Sequence, residues 1–141
     1  MNKTERYTLG KTERLKSRKL IDEVFKQGKA FSIFPFRVVY LLKTIDTLPT
    51  ANSQLQAGFT VSTKYFKKAV NRNRIKRLMR EAYRLQKNEL MQVVQKNNLQ
   101  LAVFFIYTGN DLPAYNLIVE KTAGVLKRLI KISDEATKAN T

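Results

Sequence analysis

Lys64-Tyr65-Phe66-Lys67-Lys68-Ala69-Val70-Asn71-Arg72-Asn73-Arg74-Ile75-Lys76-Arg77-Leu78-Met79-Arg80-Glu81-Ala82-Tyr83-Arg84-Leu85-Gln86-Lys87 is the stretch on which the reading of this chain turns. It carries ten Lys or Arg and one acid, Glu81, so its local charge of +9 is more than half of the formal +16. The cations interleave with apolar residues at helical spacing. With Arg72 at 0° and about 100° per residue, Ile75, Leu78, Met79, Ala82 and Tyr83 fall between about 240° and 20°, a core-facing stripe. Arg72, Lys76, Arg80, Asn73, Arg84 and Arg77 fall between about 0° and 140°. Arg74 and Glu81 stand apart, placed to pair with each other or with Arg77. Cations crowded on one sector repel one another by roughly a few tenths of a kcal/mol per i,i+4 pair. Nothing in folding offsets that cost, whereas a polyanion would. Solvated helix faces usually mix signs, and this one is nearly all positive, which favours a phosphate-binding surface. Arginine suits phosphate because its planar fork donates two parallel hydrogen bonds. Asn71 and Asn73 add donors near the helix N-terminus, with capping the expected role of Asn71.

The totals agree. A chain of 141 residues with 43% hydrophobic content fits one folded domain. A pI near 10.3 points to a polyanionic partner: RNA, DNA or an anionic membrane surface. The absence of Cys excludes disulfides and thiolate metal sites and fits a reducing compartment, so a cytoplasmic protein is expected. Met1 to Arg14 lacks the apolar centre of a secretory signal, and no run of about 18 apolar residues suggests a membrane span. An interfacial helix is disfavoured too, because the apolar stripe of the basic helix is claimed by the core.

The chain does not read as a catalyst. It has no His and no Cys, which removes the usual acid–base and thiol options. Its 11 acids are scattered. The adjacent pairs Asp22-Glu23 and Asp134-Glu135 suit ion pairing, the first with Arg18, Lys19 and Lys26, better than a shared metal, since helical neighbours diverge by about 100°. No cofactor or metal bound by side chains is expected.

Around the basic stretch the order is helix, strands, helix, strand, helix. Residues 1–14 read as a basic N-terminal arm, 15–132 as a single RNA-binding domain and 133–141 as a flexible, frayed tail. Ser17 caps a helix to about Gln27, with Gly28 placed as a left-handed terminator. Pro35 among Phe31, Ile33, Phe34 and Phe36 marks an edge strand or bulged start. Arg37 to Lys43 and Gln56 to Ser62 are strands joined by a polar loop over 44–55. The second helix starts near Asn71 and runs to about Gln95, or stops near Lys87 to Asn88. Gln100 to Tyr107 lacks alternation and reads as a strand buried on both faces. Asp111 and Pro113 open the last helix. Of the aromatics, Phe59, Phe104 and Phe105 read as core, while Phe25 and Tyr40 are open to a stacking role.

Residues 71–84 resemble the signature of the bacterial ribonuclease P protein subunit, an Arg-Asn-Arg motif continuing into Ile-Lys-Arg-Leu-x-Arg. Leu15 to Phe25 is similar to that family's first helix, Ala57 to Lys64 to its strand and Val-Ser-x-Lys turn, and Leu101 to Tyr107 to its last strand. The resemblance covers roughly residues 8–131. It implies an αβββαβα sandwich, an α/β (α+β) fold with a four-stranded mixed sheet packed with helices and a left-handed βαβ crossover, against the usual hand. It implies a protein that does not itself cleave, but partners a catalytic RNA and promotes removal of the 5′ leader of precursor tRNA. By position, Arg72, Asn73, Arg74, Lys76, Arg77, Arg80 and Arg84, with Lys67 and Lys68, would meet the catalytic RNA. Ile21, Phe25, Arg37, Tyr40 and Lys64 would border the leader cleft, which Lys43 would extend. Mg²⁺ is expected with the RNA, and the protein as a monomer bound one to one. Two positions depart from the pattern: Ile21 is aliphatic where an aromatic often stands, and Tyr65-Phe66-Lys67-Lys68 replaces a small Gly-Asn type turn. The competing reading is a structural RNA-binding protein of ribosomal type with no part in cleavage; a non-specific DNA-binding or membrane-surface cation is a third.

Overall fold

The computed structural model describes residues 9–45 and 54–139. A 3-10 turn, Lys11–Glu13, leads into α1 (Arg18–Gln27), the hairpin strands β1 (Lys29–Ile33) and β2 (Phe36–Thr44), then β3 (Leu55–Val61). Two consecutive helices follow, α2 (Ala69–Gln86) and α3 (Asn88–Lys96), then β4 (Leu99–Tyr107) and α4 (Tyr115–Ala139). The strands form one mixed sheet in the order β1-β2-β4-β3, antiparallel except for the parallel β3–β4 pair, which is joined through α2 and α3. This is the expected αβββαβα order with one addition, α3, since the second helix ends at the earlier of its two anticipated stops.

Alternation along the strands sorts side chains onto two faces. Phe36, Val38 and Tyr40 of β2 join Leu101, Val103, Phe105 and Tyr107 of β4 in the larger core, with Ile75, Met79, Ala82 and Tyr83 of α2, Leu90 and Val94 of α3, and Ile118, Val125 and Leu129 of α4. On the reverse face a small core joins Leu15, Val24, Val39 and Ala102, with Ile21, Leu41, Phe104 and Ile106 partly buried around it. Helices therefore cover both faces of β4, which explains its unalternating apolar run.

Several local expectations are revised. Ser17 does cap α1, its Oγ accepting from the Leu20 amide at 3.2 Å. Gly28, however, is extended (φ −76°), not left-handed. Its reason is space, because a Cβ there would lie 2.3 Å from the Val24 carbonyl oxygen and 2.4 Å from that of Tyr40. Pro35 lies in the hairpin turn between β1 and β2, and β1 is one of the two edge strands. α2 begins two residues before Asn71, with Lys68 in the capping position, so Asn71 belongs to the first turn. α4 begins at Tyr115, after Asp111 and Pro113, and stays helical to Ala139 where a frayed tail was expected. Burial explains the continuation: Ile132 packs against the larger core and Ser133 is fully buried, its hydroxyl satisfied by donating to the Leu129 carbonyl. Most of the anticipated 44–55 loop, 46–53, lies outside the described residues, as do 1–8 of the arm.

The described part of the arm is docked. The Leu15 amide donates to the Ala57 carbonyl (2.9 Å) and Gln56 Nε2 to the Thr12 carbonyl (3.1 Å), so residues 12–15 run along the outer edge of β3. Glu13 accepts from Lys87, whose ammonium is buried where α2 gives way to α3. An edge that would otherwise offer unpaired backbone groups is thereby covered.

Candidate nucleic-acid interface

The outer side of α2 presents the cations expected there, but they divide into groups. Asn73, Arg74 and Arg77 are exposed and, with Val70 and Asn71, line one shallow depression. Lys67 and Lys68 are exposed just before it. Arg80 lies round the flank, lining a groove with Leu9, Arg14, Leu15, Lys16, Gly58 and Phe104 among others. Lys76, one turn earlier, is half-buried. Arg72 is already engaged: its guanidinium donates to the carbonyls of Phe66 (2.9 Å) and Lys67 (2.7 Å). With the Phe66 ring buried 6.1 Å from that of Tyr107, Arg72 pins the loop ahead of the helix to the sheet.

Glu81 pairs with Arg84, not with Arg74 or Arg77, through bonds of 3.2 and 2.7 Å. The hydrogen bond from Arg84 holds the Glu81 carboxyl below its usual range, and reciprocally raises the guanidinium of Arg84. The i,i+3 separation brings the two side chains over the same turn, which a placement by angle alone does not single out. Arg84 is thus partly neutralised, while among the described residues no acid pairs with Arg74 or Arg77.

The residues expected along a leader cleft are only partly brought together. Phe25 is 49% exposed, its ring 5.4 Å from that of Phe104. Ile21 is half-buried on the same side, and Arg37 is exposed on β2 opposite Ile106. Lys43 is on this face too, but its ammonium binds Glu23 of α1, the acid expected to pair within its own helix. Tyr40 is on the other face. It is buried, with its ring 5.9 Å from that of Phe31, over which the Arg128 guanidinium lies at 4.6 Å. Burial raises its hydroxyl pKa, only partly countered by Arg128. Alternation gives the reason: Arg37, Val39, Leu41 and Lys43 share one face, so the β2 residue beside Phe25 and Phe104 is Val39. Lys64 stands apart, in the loop after β3, with its ammonium 5.3 Å from the Tyr65 ring.

The groove adds residues that the sequence does not single out. Arg14 and Lys16 belong to a segment that reads as an aperiodic arm and a cap, yet they line the same groove as Arg80. Phe104, expected in the core, is half-buried and faces α1. Gly58 leaves the floor open, since a Cβ there would approach Phe104 to 3.1 Å. Strand parity is sufficient to place Phe104; nothing local reveals Arg14 or Lys16, because their placement depends on pairing with β3.

A sequence profile of the Ribonuclease P family matches residues 9–130, covering both the groove and the basic helix. The chain belongs to that family. A ribonuclease P protein component of Porphyromonas gingivalis is 37% identical over 127 residues, 90% of this chain and 88% of the relative. One from Chlorobium phaeobacteroides is 31% identical over 129 residues, 86% and 88% of the two chains. The RNase P protein from Thermotoga maritima superposes with a TM-score of 0.61 at 26% identity, over 82% of this chain and 96% of that one. No helix among the described residues is long and apolar enough to cross a membrane.

Proposed function

We propose that this chain is the protein subunit of a ribonuclease P. It binds the catalytic RNA through the outer side of α2 and holds the single-stranded 5′ leader of precursor tRNA in the groove lined by Arg14, Lys16, Phe104 and Arg80, beside α1. It thereby promotes the endonucleolytic cut that gives the mature 5′ end. The reacting centre and its Mg²⁺ belong to the RNA, and one protein serves one RNA.

The observation that carries this reading is the meeting of Arg80 with Arg14, Lys16 and Phe104 in one groove, with Phe25 against Phe104 at its side. Single-stranded nucleic acid is held by cations along the backbone and aromatic rings under the bases, about 1–3 kcal/mol per stacked base. Arg80 sits on the same helix as Asn73, Arg74 and Arg77, so one rigid element would touch both RNAs and fix their relative position.

Reconstitution tests it. At low Mg²⁺, leader cleavage should require both this protein and the catalytic RNA. Cleavage by the protein alone would overturn the cofactor role, and failure to stimulate the RNA would favour a ribosomal-type structural protein. Within the complex, Phe25→Ala should weaken binding of leader-bearing precursor and spare mature tRNA. Equal losses for both would return Phe25 to a packing role.

A further inference from the structure

The end of the sheet where β3 and β4 finish carries two exposed aromatic side chains that the groove does not use. Phe34, at the tip of the β1–β2 turn, is 71% exposed, and Tyr65, in the loop after β3, is 48% exposed. Phe36, Tyr107 and Val61 lie side by side across β2, β4 and β3, so the two loops rise from backbone positions about 10 Å apart. The backbone of each loop is tied to the sheet. The Thr108 amide and hydroxyl bond the Pro35 carbonyl at 2.8 and 3.0 Å, while Arg72 and the buried Phe66 ring fix the Tyr65 loop.

The charge at this end is positive. Lys64 lies against the Tyr65 ring, Lys67 and Lys68 are exposed beside it, and Asp111 is the acid of the neighbouring loop. Solvent-exposed rings on anchored loops, flanked by cations, suit unpaired nucleotides, because every base offers a face to stack on. Phe104 of the groove and Ile106 lie on one face of β4, and Ile106 pairs with Arg37 toward this end of the sheet. α1 packs over Val39 and Ala102, leaving Ile106 half-buried and Arg37 exposed on the half of the face nearest Phe34.

We propose that Phe34 and Tyr65, with Lys64, form a second single-stranded RNA contact that takes leader nucleotides lying beyond those in the groove. The inference rests on the leader-binding reading above. Its consequence is that affinity continues to rise as the leader lengthens past the groove.

The test uses the full-length protein reconstituted with its catalytic RNA. Binding is measured for mature tRNA, a precursor whose leader ends within the groove and a precursor whose leader is several nucleotides longer. Wild type should gain affinity at each step. Phe34→Ala and Tyr65→Ala should each lose about five-fold on the longest precursor alone. If both variants keep the full final gain, this inference fails and the groove reading stands; if wild type gains nothing from any leader, the groove reading fails first. Equal loss on mature tRNA would assign the rings to the catalytic RNA and overturn the proposal. The chain has no Trp, so Phe34→Trp installs one reporter. Its fluorescence should fall on adding the long-leader precursor but not the short one, and an unchanged signal with both would also sink the contact.

Discussion

The two faces of the sheet are built from alternate residues of the same strands, yet they do different work. Beneath α2, α3 and α4, Phe105 is buried against Phe36, Phe59 and Tyr83, with ring centres 5.3 to 6.0 Å apart. On the reverse, its neighbour Phe104 meets only Phe25 among the rings of the described residues and stays half-buried in a groove lined by Arg14, Lys16 and Arg80. One face commits its apolar surface to stability. The other is covered by a ten-residue helix and keeps part of its surface for a ligand. Adjacent phenylalanines therefore make a direct comparison of the two roles.

Truncating each tests that contrast and should give the largest effect. Phe105→Ala should cost about 3–5 kcal/mol in urea unfolding, the range for an aromatic removed from a close-packed core. Phe104→Ala should cost clearly less, while weakening the binding of leader-bearing precursor in the reconstituted complex. Matching stability losses, with precursor affinity untouched by Phe104→Ala, would make both faces core and close the groove as a binding site.

The edge of the open face depends on Glu13 and Lys87, which fasten the segment carrying Arg14 and Lys16. Lys87→Ala leaves a partly buried carboxylate without its cation and should cost about 3 kcal/mol, the lower end for a broken buried pair. Joint replacement, Glu13→Gln with Lys87→Met, should recover much of that stability by removing both charges. Proteolysis near Lys11 sharpens the comparison: the single variant should be cut faster there than wild type while the Phe105 face stays protected. Global unfolding without preferential cleavage would mean the strap and the core are one cooperative unit.

Much of this was legible in residues 64–87. Three-residue and four-residue spacing locates the buried stripe of α2, and all four of its buried residues lie in the expected set. The Ser17 cap and the apolar run of β4 are equally local. What escapes depends on partners distant in sequence or on parity not carried through. With Arg37 and Lys43 placed at the cleft, counting by twos from either excludes Tyr40 and selects Val39. The docking of residues 12–15 on β3 follows from bonds spanning more than forty residues, which no local pattern encodes. The extension of α4 through Ser133 has a similar cause: a polar residue reads as the start of a tail until its hydroxyl is seen bonding back to Leu129.

The smallest and most discriminating effects should come from two arginines on one helix. Arg72 donates to two carbonyls of the preceding loop, whereas Arg77 lies in the exposed depression beside Asn73 and Arg74. Arg72→Ala should cost about 1 kcal/mol of stability, since charged donors are worth somewhat more than neutral ones but this site is half-exposed. Arg77→Ala should change stability by less than about 0.5 kcal/mol. In binding the order should reverse. Removing one phosphate-binding cation lowers the slope of log K against log salt by about 0.7 to 0.9, so Arg77→Ala should show that decrement with the catalytic RNA. Arg72→Ala should show less, since its guanidinium is engaged within the protein. Identical decrements would mean Arg72 exchanges its carbonyl partners for phosphate when RNA arrives, and the loop it pins, Tyr65 included, would be released at that moment.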